Sequence, residues 1–111
     1  MRKIALVKNK EVDIKRVMLY QDEDGIYLFG YDKLEDCGGL WDQWYETIEE
    51  VYKVCEEEYG IQFQDWVLID DPLKDCQHDW IEPVRIKGRD KGIPEWGKLE
   101  KLVNGVWVEI N

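Results

Sequence analysis

The chain has 111 residues, 44% of them hydrophobic, and a formal net charge of −10. This length predicts a single domain over residues 1–111, and the apolar content excludes an intrinsically disordered chain. The longest apolar runs have four residues, too few for a membrane-spanning helix of about 20 or the 7–15-residue core of a signal peptide, so we expect a cytoplasmic protein.

The first third of the chain predicts an antiparallel meander of three strands. Residues 3–8 form a short apolar run between lysines, and residues 12–20 alternate at first and are then continuously apolar. That change predicts burial on both faces or a bulge near Arg16. Residues 22–25 end in Gly25 and form a turn, after which residues 26–31 return as the third strand.

Residues 31–45 are predicted to form a loop. They contain Gly38 and Gly39 beside Trp41 and Trp44, and the segment has no strand periodicity. A helix that begins earlier, capped by Asp42, also fits the spacing of the aromatic residues, but no acidic residue three positions later completes a capping box.

Residues 48–59 are predicted to form the main α-helix. Thr47 and Glu50 have the spacing of a capping box, and Gly60 can adopt the left-handed conformation of a Schellman ending with Ile61. The apolar stripe at helical spacing consists of Ile48, Val51, Tyr52, Cys55 and Tyr59. Glu56, Glu57 and Glu58 lie at the negative end of the helix dipole, which is unfavourable, so packing must hold the helix.

The last part of the chain predicts shorter strands. Residues 66–69 form one strand, and residues 80–86 form a weak one that Pro83 makes either an edge strand or no strand at all. Residues 99–103 and 106–110 form a hairpin around an Asn104-Gly105 type I′ turn. Its core face is predicted to consist of Leu99, Val103, Val106, Val108 and Ile110. The fold class is therefore α+β, an antiparallel sheet of about five or six strands with one helix on one face.

The charge of the chain is concentrated in its middle. Residues 1–20 have six basic and two acidic side chains, residues 21–82 have three and nineteen, and residues 83–111 have six and four. Such an acidic field attracts a basic partner and repels nucleic acid and anionic membranes, although it can equally serve solubility alone. The residues predicted to bind a basic protein are Glu49, Glu50, Glu56, Glu57, Glu58, Trp41 and Trp44. The tryptophans are included because Trp is common in interface hot spots, while anchoring loops onto the sheet explains them equally well.

A second polar constellation surrounds the only histidine. Cys76, His78 and Asp79 precede Trp80, and a basic strip over residues 85–91 follows. The alternative ligand site is therefore Cys76, His78, Asp79, Arg85 and Arg89. Together with Cys37 and Cys55, Cys76 and His78 would give a Cys₃His zinc set, but the closely spaced ligand pairs of structural zinc sites are missing, and we predict no metal. Hydrogen bonds within a turn, and ion pairs with nearby acidic residues, explain these side chains more simply.

Two functional hypotheses follow. The first is a non-enzymatic acidic protein-binding module without a cofactor, one form of which is an immunity-like or antitoxin-like inhibitor of a basic protein. The second is a small-molecule-binding or metal-binding protein, or an enzyme, with a site around residues 75–80 and 85–91. No family motif is present, and the first hypothesis rests on an analogy of charge and size.

Overall fold

The structure, a computed structural model, describes residues 1–110 and divides the chain into two compact units. The first unit is Met1–Asp71, and the second begins at Pro72. The first holds a five-stranded sheet and one α-helix, and the second holds a three-stranded sheet. The predicted α+β class, with one helix packed on an antiparallel sheet, is confirmed, and the assignment of one domain stays a prediction. No helix within residues 1–110 is long and apolar enough to span a bilayer.

The sheet of the first unit is antiparallel throughout. Its strands are β1 (Arg2–Leu6), β2 (Arg16–Gln21), β3 (Ile26–Tyr31), β4 (Trp41–Tyr45) and β5 (Val67–Ile69), in the spatial order β4-β3-β2-β1-β5. Asp22 closes the β2–β3 turn, because its Oδ1 accepts from the N–H groups of Asp24 at 2.8 Å and Gly25 at 3.2 Å. The predicted meander is therefore confirmed, and the middle of β2 is buried on both faces.

Two sequence predictions in this unit are wrong. Residues 41–45 form a strand rather than a loop or an early helix, because Trp41 and Trp44 pack their rings against Gly30 and Gly25 of the neighbouring segment. An aromatic ring over a glycine stabilises strand pairing that local sequence does not reveal. The second strand begins at Arg16 rather than near residue 12. Val12 and Ile14 belong to the connection between β1 and β2, and their side chains pack against the core from there.

The helix α1 (Ile48–Tyr59) has the predicted bounds. Thr47 Oγ1 accepts from the Glu50 N–H at 3.3 Å and its hydroxyl donates to the Glu50 carboxylate at 3.1 Å. Gly60 is left-handed, with φ of 69°, and its N–H donates to Glu56 O at 3.2 Å. One face of the helix packs on one face of the sheet, and their buried layer includes Ala5, Val17, Leu19, Ile26, Leu28, Val51, Cys55 and Tyr59.

The second unit is organised around the predicted hairpin. Its strands are β6 (Val84–Ile86), β7 (Leu99–Val103) and β8 (Val106–Ile110), in that spatial order. Asn104 and Gly105 have φ of 50° and 78°, as a type I′ turn requires. The predicted register of Val103 with Val106 is confirmed, and so is the edge position of the strand after Pro83.

The predicted core face of this hairpin is wrong. Val103, Val106 and Val108 are 43%, 62% and 46% exposed. Trp107, on the other face, is half-buried, and the guanidinium of Arg85 lies 3.9 Å from its ring centroid. On the predicted core face only Leu99 and Ile110 are half-buried, and on the other face Arg85 shields part of the Trp107 ring through a cation–π contact.

Candidate functional site

A cleft lies at the C-terminal end of α1 in the first unit. It has a volume of ≈ 510 Å³ and is lined by Asn9, Val12, Ile14, Trp41, Gln43, Glu57, Glu58 and Tyr59. The connection after β1 is tied to the helix end, because the N–H groups of Lys8 and Asn9 donate to Tyr59 O at 3.0 and 3.1 Å. Asn9 Nδ2 also donates to Glu58 O at 2.9 Å. These bonds fix the two sides of the cleft relative to each other.

Trp41 supplies an aromatic wall of the cleft. It opens β4 and pairs with Gly30 of β3 in the sheet. A Cβ placed on Gly30 would lie 2.3 Å from Cε2 of the Trp41 ring, so only a glycine allows the ring to lie there. The ring is therefore held by close packing on the backbone of β3, which makes it a preformed surface for a ligand.

Glu57 and Glu58 supply negative charge to the same cleft. Both side chains are exposed, and within residues 1–110 neither takes part in an ion pair. The last turn of α1 has no basic residue. The free carbonyl groups of a helix C-terminus carry partial negative charge, so the carboxylates add to an existing negative potential. This end of the helix lacks the cation that would stabilise it.

Burial and the negative charge at this end of the helix raise the pKa values of two side chains of α1, Cys55 and Tyr59. Burial, and then the charge of Glu58, raises the pKa of the Cys55 thiol to about 12. The same two causes raise the pKa of Tyr59 to about 12. The Cys55 thiol is therefore protonated at neutral pH, and it packs in the core as a small apolar group rather than acting as a nucleophile.

The structure brings together only part of the predicted binding set. Glu49 and Glu50 are exposed in the first turn of α1, at the opposite end from the cleft, and Glu56 is exposed beside the cleft without lining it. Trp44 is three residues after Trp41, so the alternation of a strand places it on the other sheet face. Asn9 and Gln43 were not among the predicted site residues, although the apolar residues Val12 and Ile14 after Asn9 indicate a connection that packs on the core.

One residue of the alternative ligand set, Arg85, lines a cavity in the second unit. The cavity has a volume of ≈ 290 Å³ and is lined by none of the other four residues of that set. Arg85 Nε lies 3.3 Å from Glu100 Oε1, and its Nη1 lies 3.6 Å from Asp90 Oδ2. Arg89 Nη1 donates to Gln77 Oε1 at 3.3 Å. Both arginines are therefore already engaged within the unit.

The cysteine and histidine of that set lie in a turn. The Cys76 side chain is buried and its N–H donates to Leu73 O at 3.1 Å, while His78 is exposed and Asp79 is half-buried. Within residues 1–110, no group of three His, Cys, Asp or Glu side chains is placed to hold a metal ion.

Comparison with protein-family models, with curated proteins and with solved structures finds no match to this chain.

Proposed function

We propose that this protein is a non-enzymatic, acidic binding module that docks a basic protein, with the cleft at the end of α1 accepting a lysine or arginine side chain. The observation that supports this function is that two carboxylates without ion pairs, Glu57 and Glu58, line the same cleft as the fixed ring of Trp41. A guanidinium binds a carboxylate through paired hydrogen bonds and stacks on an indole face, so the cleft offers both contacts at once.

Long-range charge supports the same proposal. The first unit has eight basic and eighteen acidic residues, a net charge of −10. A field of this sign accelerates the approach of a cationic protein and repels nucleic acid. An inhibitor that covers a basic enzyme, as immunity proteins and antitoxins do, has this combination of small size and acidic surface, and this form of the proposal rests on that analogy.

The test uses a fluorescently labelled arginine-rich peptide as the probe, with binding measured by anisotropy. Reversing the charges of the cleft, Glu57→Lys with Glu58→Lys, is expected to weaken binding about tenfold or more. The matched control, Glu23→Lys with Asp24→Lys in the β2–β3 turn, changes the net charge equally. It is expected to lose only the part of the affinity that comes from overall charge.

A third variant tests the aromatic wall. Trp41→Leu keeps the charge and is expected to weaken binding several-fold, because stacking of a cation on an indole contributes about 0.5–2 kcal/mol. Equal weakening by both charge reversals, with no effect of Trp41→Leu, would mean that the peptide responds to overall charge and that the cleft is not the site. No binding of the peptide at low salt would reject docking of a basic partner altogether.

A further inference from the structure

Arg16 is a buried cation without a counter-ion. It opens β2, is 3% exposed, and its guanidinium lies 4.1 Å from the ring centroid of Tyr31. Its Nη2 donates to Glu35 O at 3.4 Å, and its buried Nε has no hydrogen-bond partner within residues 1–110. No carboxylate among those residues forms an ion pair with it. Buried charges in proteins are normally paired, so this one requires an explanation.

Arg2 gives the contrast within the same sheet face. It is 2% exposed, and its Nε donates to Asp70 O at 2.7 Å. Burial lowers its pKa, while the charges of Asp71 and Asp36 act in the opposite direction and stabilise the cation. One buried arginine of this face is thus compensated by nearby carboxylates and the other is not. The Arg16 guanidinium therefore retains hydrogen-bonding capacity that a ligand carboxylate can satisfy.

Arg16 also lines an open groove. The groove has a volume of ≈ 440 Å³, within the range of about 300–1,000 Å³ that is usual for small-molecule sites. Its apolar walls are Ile4, Leu6 and Val67, of which Leu6 and Val67 are 60% and 58% exposed. The strand register places Leu6 opposite Arg16 and Ile4 opposite Val67, so these side chains share one face of the sheet.

The two charged residues at the rim of the groove, Lys8 and Asp65, form an ion pair with each other and not with Arg16. Lys8 and Asp65 line the groove, and Lys8 Nζ lies 2.6 Å from Asp65 Oδ2. The Asp65 carboxylate also accepts from the Gln62 N–H at 2.8 Å, and the bond to Lys8 lowers its pKa. This carboxylate is therefore satisfied at the rim, and Arg16 is left as the cation of an otherwise apolar groove.

We propose that this groove binds an apolar monocarboxylate, with the carboxylate on Arg16 and the hydrocarbon part against Leu6, Ile4 and Val67. A carboxylate is the anion that fits a guanidinium best, and a hydrocarbon chain removes the exposed leucine and valine from water. A fatty acid and the C-terminus of an apolar peptide share this chemistry. The inference is independent of the proposed docking function, because it uses a different set of residues.

The experiment measures binding of octanoate to the full chain by titration calorimetry, with octanol as the uncharged analogue of the same chain length. Octanoate is expected to bind at least about tenfold more tightly than octanol. Arg16→Met keeps the length of the side chain and removes its charge, and it is expected to abolish that preference. The control variant, Lys53→Met, removes one positive charge from the exposed face of α1 and is expected to leave octanoate binding unchanged.

A second variant, Val67→Asp, tests octanoate binding in the groove if Arg16→Met does not fold. Val67→Asp adds a negative charge at an exposed wall of the groove, where the core is not disturbed, and is expected to prevent octanoate binding while the melting temperature is retained. Equal binding of octanoate and octanol, or octanoate binding that survives Val67→Asp, would overturn the proposal. Tighter binding of N-acetylleucine than of octanoate would assign the groove to a peptide C-terminus, and the reverse would assign it to a fatty acid.

Discussion

The two units of this protein handle charge in opposite ways. The first has eight basic and eighteen acidic residues, whereas residues 72–111 have seven of each. In the second unit, the cross-strand pair Arg85–Glu100 is closed at 3.3 Å, and Lys87 lies 3.1 Å from Glu109. In the first, Glu57 and Glu58 have no ion pair within residues 1–110. The second unit is therefore neutral in formal charge, whereas the first keeps a net charge of −10 that includes the two unpaired glutamates at the end of α1.

The two units also differ in how deeply they bury their apolar side chains. In the first unit, Val17, Leu19 and Leu28 are fully buried between the sheet and α1. In the second unit, the valines of the hairpin are exposed, and Trp107 on the opposite face is half-buried against Arg85. The comparison indicates that a unit which obtains its stability from an apolar layer can carry uncompensated charge on its surface. Four experiments test this comparison, in order of decreasing expected effect.

The largest effect is expected from Leu28→Ala in the first unit. The variant leaves a cavity in a closed layer and should lower the free energy of unfolding by about 2–5 kcal/mol. Val108→Ala removes a half-exposed side chain in the second unit, and its effect should stay within about 0.5 kcal/mol. Urea unfolding measures both. Similar losses for the two variants would mean that the valine face of the hairpin is buried in solution.

A smaller loss is expected from Gly30→Ala. The added methyl group would lie 2.3 Å from the Trp41 ring, which must move. Such overpacking costs about 1–3 kcal/mol. The double variant Gly30→Ala with Trp41→Leu should recover part of this loss, since the clashing ring is removed. Additive losses in the double-mutant cycle would show that the ring does not rest on Gly30.

In the second unit, Arg85→Met tests whether charge holds the sheet. It removes the contact with Trp107 and the pair with Glu100, whose side chains are both 15% exposed at that pair. Its cost is expected to be about 1–2 kcal/mol, from a cation–π contact and a partly screened ion pair. Hydrogen exchange of the β7 and β8 amides localises the effect. Unchanged protection in those strands would mean that apolar contacts suffice there.

The smallest effect is expected to have the opposite sign. Glu57→Lys with Glu58→Lys places cations at the C-terminus of α1, and each should stabilise the helix by about 0.3–1 kcal/mol through the helix dipole. Thermal unfolding at low salt measures the gain, and added salt should reduce it. A loss of stability would show that the two glutamates make stabilising contacts in solution. The gain would mean that the acidic helix end costs stability and that fold alone does not explain it.

Sequence reasoning succeeded where the signal is local. The caps at Thr47 and Gly60, the period of the helix stripe and the Asn104-Gly105 turn each specify a conformation within a few residues. It failed at β4 because that strand depends on rings packing over glycines from another part of the chain. It also misjudged the hairpin faces, since the alternation of valines does not reveal that Arg85 covers the opposite face.

The candidate site was predictable only in part. The acidic run at the helix end and Trp41 are visible in the sequence, but their convergence depends on the connection after β1 being tied to Tyr59. Arg16 lies in an apolar run, and its burial among Leu6 and Tyr31 follows from the pairing of three strands rather than from any motif. Long-range pairing of this kind has no signature in a window of neighbouring residues.

The edge strand β5 affects how readily the protein aggregates in solution. It is only three residues long, and Val67 and Leu68 are exposed at the end of the five-stranded sheet. Such an apolar edge promotes aggregation by strand pairing between molecules. Asp70 follows it directly and acts as a gatekeeper, because carboxylates at the edges of two approaching copies repel each other. Because this repulsion is electrostatic, raising the ionic strength should weaken it and favour assembly through this edge.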